Sequence, residues 1–333
     1  MTNDLIQLVE FALAGGPKGI RAAGRLMSLM EDSPWRLPEL FRAWAQVREQ
    51  DQSLSEQLPM PRLLLGITGA PGSGKSTLSD ALVTAYREKN PDQKIGVIAV
   101  DPSSPFTGGA VLGDRVRMMR HATDKGVFIR SLSARGHLGG LTLGVKGVAR
   151  VMGLIGCDVV IIETVGVGQS EVEVTQVADL VAVVLAPGQG DSIQMLKAGL
   201  MEIADLFVIN KADREGSGTL YSQLLSSLQL SMDKKADPDV LLVSAVEKTG
   251  IDELIALLDK RTEDESANWP ALREKRMYAD VSESVLDQAR MRLAKLLATS
   301  PEETKKIIEG SVTVQDVAQK LLEKASRDKV SAN

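Results

Sequence analysis

The sequence predicts an α/β fold: a mostly parallel sheet with helices on both faces, and a helical extension at each end. Two observations carry this. Six short apolar runs, at 63–67, 95–100, 159–162, 180–185, 206–209 and 240–243, are separated by helix-length stretches. Near-continuous apolar runs of that length read as strands buried on both faces, the condition of parallel strands joined by helical crossovers. The first run leads straight into Gly69-Ala70-Pro71-Gly72-Ser73-Gly74-Lys75-Ser76, and a helix-length stretch, 77–89, follows it. Ligands of such sheets bind beyond the carboxyl ends of the strands, and every motif below falls at one.

Residues 1–60 read as a helical extension. Leu5, Leu8, Val9, Ala12 and Leu13 share one face at i, i+3, i+4 spacing, and Ile20, Ala23, Met27 and Met30 do the same for a second helix. The polar stretch 50–57, followed by Pro59 and Pro61, places a boundary before the sheet domain, 61–262. From 263 to 333 the chain reads as helical again. Ser300-Pro301-Glu302-Glu303 is a helix start with a capping-box glutamate, Gly310 is a stop, and Thr313 with Asp316 opens another helix. Val314, Val317, Ala318, Leu321 and Leu322 give that helix an apolar stripe, which packs on its own core or on a second chain.

Composition narrows the partners. Lys and Arg number 39 against 44 Asp and Glu, a net charge of −5, and no long basic tract occurs, so nucleic acid is not expected as a partner. Cys157 is the only cysteine, which excludes an intramolecular disulfide and fits a reducing compartment. Asp4 and Glu10 interrupt the first apolar residues, unlike a signal peptide. No apolar run approaches the ~18 residues of a membrane span. The expectation is a cytoplasmic protein without a membrane segment.

The glycine-rich turn matches G-x-x-x-x-G-K-[ST] between a strand and a helix, the context of a phosphate loop. Backbone N–H groups from Gly69 to Thr77 face the phosphates, and the helix N-terminus adds positive potential. Lys75 reaches the outer phosphates and Ser76 ligates Mg²⁺. Asn210-Lys211-Ala212-Asp213 follows the run at 206–209 and is the N-K-x-D sequence that reads guanine. Asp213 accepts from N1–H and the exocyclic amine, donors that adenine does not offer in that arrangement. Ser244-Ala245, after 241–243, completes the base pocket. Glu163-Thr164-Val165-Gly166 ends another strand: Glu163 faces Mg²⁺, directly or through water, and the Gly166 N–H meets the γ-phosphate. Asp101, at the end of a strand, and Asp114, at the start of a helix, are further metal candidates; Asp114 reads equally as a helix cap. The reading is therefore a GTP- and Mg²⁺-binding site in which Lys75, Glu163 and Gly166 carry catalysis. Val167 stands where Ras-type enzymes place a water-orienting glutamine, and the nearest glutamine is Gln169. Intrinsic hydrolysis is expected to be slow.

With these residues in place, the sequence resembles the MeaB/ArgK family of P-loop GTPases of the SIMIBI class. The match runs through Asp101-Pro-Ser-Ser-Pro105, Gly113-Asp-Arg115, Gly136-His-Leu-Gly-Gly140, Glu163 to Glu171, and Asn210 to Asp213. The resemblance implies a chaperone for an adenosylcobalamin-dependent acyl-CoA mutase, typically methylmalonyl-CoA mutase, with a cobalamin adenosyltransferase as a second candidate partner. It implies a homodimer joined through C-terminal helices, and a switch loop that senses the mutase at 188–197, with Asp191, Gln194 and Lys197 as its polar members. Gln189 and Ser192 depart from the family pattern there. Two other readings differ at identifiable residues. A nickel metallochaperone would need a Cys/His metal site, and the chain has only Cys157, His121 and His137. A kinase linked to amino-acid transport would use ATP, against the guanine motif. A cobalamin-binding subunit would carry Asp-x-His-x-x-Gly, but Arg135 holds the first position before His137.

Overall fold

The computed structural model describes residues 2–55, 58–102, 119–121, 123–134, 140–164, 174–188, 201–230, 238–276 and isolated positions between 305 and 319. Seven strands form one parallel sheet: β1 (Leu63–Gly69), β2 (Lys94–Pro102), β3 (Val127–Ala134), β4 (Cys157–Thr164), β5 (Leu180–Leu185), β6 (Leu206–Asn210) and β7 (Asp239–Val243). Their spatial order is β3-β2-β4-β1-β5-β6-β7, and every pairing is parallel. The six apolar runs are six of these strands. The chain leaves β1 toward β2 but leaves β5 toward β6, so the strand order reverses beside β1. A crevice opens at the carboxyl ends there.

Acidic residues pin the amino ends of two strands. Asp179 accepts from the Leu64 N–H at 2.9 Å and its own N–H donates to the Leu64 carbonyl at 2.7 Å. Asp205 repeats this with Val181, at 2.7 and 3.0 Å. These bonds fix the register of β5 and β6 against their neighbours.

Helices cover both faces. On one lie α4 (Lys75–Lys89) and α7 (Ile251–Glu265), whose Leu78, Leu82, Tyr86, Leu254 and Leu258 join Ile67, Val97, Ile161 and Val208 in one buried cluster. The other face packs against α5 (Gly140–Leu154) and the amino-terminal helices α1 (Thr2–Ala14), α2 (Gly16–Asp32) and α3 (Leu37–Gln50); α6 (Ser217–Leu230) contributes Leu220 and Leu224. Leu5, Val9, Leu26, Met30, Leu40 and Trp44 share this cluster with Val148, Met152, Val160 and Ile162. The helix α2 buries Ala22, Ala23, Leu26, Met27 and Met30, whereas Ile20 is 49% exposed. The buried side of α2 is set by Gly19, where an added Cβ would lie 2.6 Å from the Phe11 carbonyl oxygen. That close crossing of α1 and α2 leaves Ile20 outside the stripe expected of it.

The strand β3 has no counterpart among the apolar runs. Among the described residues it pairs only with β2, and it carries Arg130, Ser131 and Ser133 among its apolar residues. Arg130 forms an ion pair with Glu31 of α2 and donates to Ser28 Oγ at 3.1 Å, joining that edge of the sheet to the amino-terminal helices.

The chain divides into two compact units, Met1–Ala271 and Leu272–Asn333. In the second, Thr313 and Asp316 form a reciprocal cap: Asp316 Oδ2 accepts from the Thr313 N–H at 3.0 Å and the Asp316 N–H donates to Thr313 Oγ1 at 3.1 Å. Val317 of the expected stripe is buried. Val314, Ala318, Leu321, Leu322, the helix start at 300–303 and Gly310 lie outside the described residues.

Candidate functional site

The strand β1, buried along its whole length, delivers the chain to the crevice. The phosphate loop turns on Gly69 (φ 135°), Gly72 (φ 77°) and Gly74 (φ 92°), and α4 begins at Lys75. Gly74 is the residue before the first helical turn, in the left-handed region, where a Cβ would sit 2.4 Å from Asn210 Nδ2. Pro71, Gly72 and Thr77 are exposed at the mouth, while Ser73, Lys75 and Ser76 are buried. Lys75 Nζ donates to the Gly69 carbonyl at 2.7 Å and the Ala70 carbonyl at 3.0 Å, which keeps the ammonium over the loop.

Ser76 Oγ hydrogen-bonds to Glu163 Oε1 across 87 residues of sequence. Glu163 is the last but one residue of β4, beside β1, and is 2% exposed; Ser76 is 8% exposed. A carboxylate this buried requires compensation, and the serine hydroxyl supplies one donor. Hydroxyl and carboxylate oxygens are the hard donors that Mg²⁺ takes, its other positions going to water or phosphate oxygens. The pair fits that ion. The Asp101 backbone lies in β2, in register with Ser133; its side chain, Asp114 and Gly166 lie outside the described residues.

The segment Asn210 to Asp213, expected from the sequence to read the base, is joined to the phosphate loop. Asn210 is 1% exposed at the end of β6. Its Nδ2 donates to the carbonyls of Ser73 (3.0 Å) and Gly74 (3.3 Å). Its Oδ1 accepts from the N–H groups of Lys211 (2.8 Å) and Ala245 (3.2 Å). Lys211 has φ 59°, and its Nζ donates to the Gly72 carbonyl at 2.5 Å. Asp213 Oδ1 accepts from Ser244 Oγ at 2.5 Å. That hydrogen bond holds the Asp213 carboxyl below its ordinary range, favouring the charged form. Ser244 is itself fixed, its N–H donating to the Thr249 carbonyl at 3.0 Å.

The structure thus brings together Gly69 to Thr77, Glu163, Asn210, Lys211, Asp213, Ser244 and Ala245. The sequence reading missed the dual role of Asn210, which the N-K-x-D spacing does not reveal. Cys157 is buried, with its thiol pushed up to about 12 by burial. His121 Nε2 lies 2.9 Å from Asp80 Oδ1 of α4.

The profile of the family described as Methylmalonyl Co-A mutase-associated GTPase MeaB matches residues 51–302. The chain belongs to the MeaB family. A Pyrococcus abyssi relative named as a GTPase is 42% identical over 296 residues, 88% of this chain and 81% of its own length. The methylmalonic aciduria type A homolog, mitochondrial, of Caenorhabditis elegans is 34% identical over 224 residues, 62% of this chain and 56% of its own. A crystal structure of a LAO/AO transport system kinase is 26% identical, covers 97% of each chain and has a TM-score of 0.63. With its family and fold in agreement, this chain is a P-loop GTPase that hydrolyses GTP.

Proposed function

We propose that this MeaB-family member is a Mg²⁺-dependent GTPase chaperone for an adenosylcobalamin-dependent acyl-CoA mutase, of the methylmalonyl-CoA kind, which it assists in cofactor loading and protects from inactivation. The family match carries the reading, because mutase association stands in the family's description. The geometry supports the nucleotide half of it.

The phosphate loop and Lys75 hold the phosphates, and Asp213 with Asn210 selects guanine. Ser76 and Glu163 hold Mg²⁺, joined by Asp101 and Asp114. Held there, Mg²⁺ would supply positive charge against the negative charge that develops in transfer. Gly166 contributes its N–H to the γ-phosphate. Val167 has no group that orients water, so the chain alone turns over slowly and a partner sets the timing. The segment 188–197 is the proposed sensing loop, the C-terminal unit the proposed homodimer contact, an adenosyltransferase a second partner and the cytoplasm the proposed location. The transport-linked kinase reading requires ATP, and equal affinity for GTP and ATP would favour it.

The test is GTP hydrolysis with and without purified methylmalonyl-CoA mutase. Mutase should accelerate turnover by roughly tenfold, if a typical coupling of ~1–3 kcal/mol is expressed in the transition state. Lys197→Ala and Gln194→Ala should weaken that response and leave basal turnover unchanged. Turnover indifferent to mutase, with no complex on GDP- or GTP-loaded protein, would overturn the chaperone reading.

A further inference from the structure

At the fork where β1 and β4 end, two buried hydroxyls meet. Thr164 Oγ1 donates to Thr68 Oγ1 at 3.1 Å and lies 3.5 Å from the Ile67 carbonyl oxygen. Thr68 is 0% and Thr164 2% exposed. The strands are paired in register there, with Ile67 opposite Glu163. Side chains alternate along a strand. Glu163 points to the face of α4, where Ser76 takes its carboxylate, and Thr164 therefore points to the other face. Each threonine also stands beside a functional segment: Thr68 precedes Gly69 and the phosphate loop, and Thr164 directly follows Glu163.

We infer that the Thr68–Thr164 hydroxyl pair is a positioning device that fixes Glu163 against Ser76 from the opposite face of the sheet. β1 and β4 are already bonded along their length by backbone groups, so the fold does not need this contact. The β1–β4 pairing ends at Ile67 and Glu163, however, one residue short of this contact, while β1 runs on to Gly69 against β5. A side-chain cross-link at that point restricts rotation of the last β4 residues, and the carboxylate of Glu163 is one residue away. Neither threonine is placed to touch nucleotide or metal; each acts through Glu163. The inference rests on the proposal that Ser76 and Glu163 hold Mg²⁺.

The experiment measures affinity for GDP carrying a fluorescent ribose substituent as Mg²⁺ is titrated, in the full-length protein. Variants are Thr164→Val, Thr68→Val, the double variant and Thr164→Ser. Valine keeps the shape and removes the hydroxyl. Loss of a single neutral hydrogen bond, ~0.5–1.5 kcal/mol net, should raise the Mg²⁺ half-saturation about two- to twelvefold. Affinity in EDTA should stay at the wild-type value, because the phosphate loop and base pocket are untouched. The double variant should match either single one, and Thr164→Ser should restore the wild-type half-saturation. Thermal unfolding of the nucleotide-free variants is followed in parallel. A wild-type protein whose nucleotide affinity ignores Mg²⁺ would remove the underlying metal reading. A Mg²⁺-sensitive wild type with the same half-saturation in both valine variants would overturn this inference alone, as would variants that change only in thermal unfolding.

Discussion

Asp213 shows how one residue acquires its chemistry from a neighbour. It is exposed, and the Ser244 hydroxyl is the largest influence on its carboxyl, favouring the charged form against a smaller opposing effect of desolvation. With its carboxyl held below the ordinary range, Asp213 keeps its charge as pH falls, and the guanine recognition proposed for it should be lost only as pH drops through the lowered value. Ser244→Ala should therefore move the acid loss of GTP affinity to higher pH, read from binding curves across the carboxylate range. Asp213→Asn should lose at least tenfold in GTP affinity, since hydrogen bonds to a charged acceptor contribute ~1.5–3 kcal/mol each. Asn can donate to a carbonyl, so affinity for XTP should rise at the same time; an Asn variant still preferring GTP would remove Asp213 from the base pocket. Gly74 is constrained from two sides, by φ 92° and by Asn210 Nδ2 at 2.4 Å from a prospective Cβ. Gly74→Ala should weaken binding of GTP and GDP alike by roughly tenfold or more, the scale of such backbone strain.

At the scale of elements, six strands were legible because each carries an unbroken apolar run, edge strand β7 included, and β3 was not because Arg130, Ser131 and Ser133 interrupt its run. Arg130 interrupts its pattern, yet it is the residue that holds α2 through Glu31. The motifs of the site were legible for a similar reason: each is a contiguous run at a strand end. What joins them was not, since the Asn210–Ser73 and Ser76–Glu163 bonds span 137 and 87 residues, and no local pattern encodes such contacts. The phase of α2 was misread at Ile20 because helix periodicity gives a stripe but not its direction, which the crossing at Gly19 decides. The same helix meets α5 at Gly147, where an added Cβ would lie 2.8 Å from Met30 Cβ and 3.1 Å from its Sδ. Met30→Ala should cost about 2–5 kcal/mol in denaturant unfolding, and Gly147→Ala about 1–3 kcal/mol from overpacking. Combined, the two should cost less than their sum, as the new methyl occupies the space the methionine leaves. An additive double variant would show that the helices do not meet there.

For the whole molecule, the division of the chain after Ala271 separates two kinds of work. Every described residue of the nucleotide site, from Gly69 to Ala245, lies in the first unit. So do both buried clusters, including the amino-terminal helices that cover one face of the sheet. The first unit therefore has its own core. The second unit is the proposed contact between two copies, with Val317 of the stripe expected there already buried within the single chain. A short amphipathic helical segment gains stability mainly by packing its apolar face, so removing that unit should remove the association and spare the pocket. A fragment ending at 271 should then sediment as a single chain and bind GTP with the affinity of the full-length protein, while the full-length protein sediments as two chains at micromolar concentration. A full-length protein that sediments as one chain would refute the dimer. A fragment that still pairs would move the contact to the first unit, and a fragment that pairs with nothing yet loses GTP would show that the pocket depends on the C-terminal unit after all.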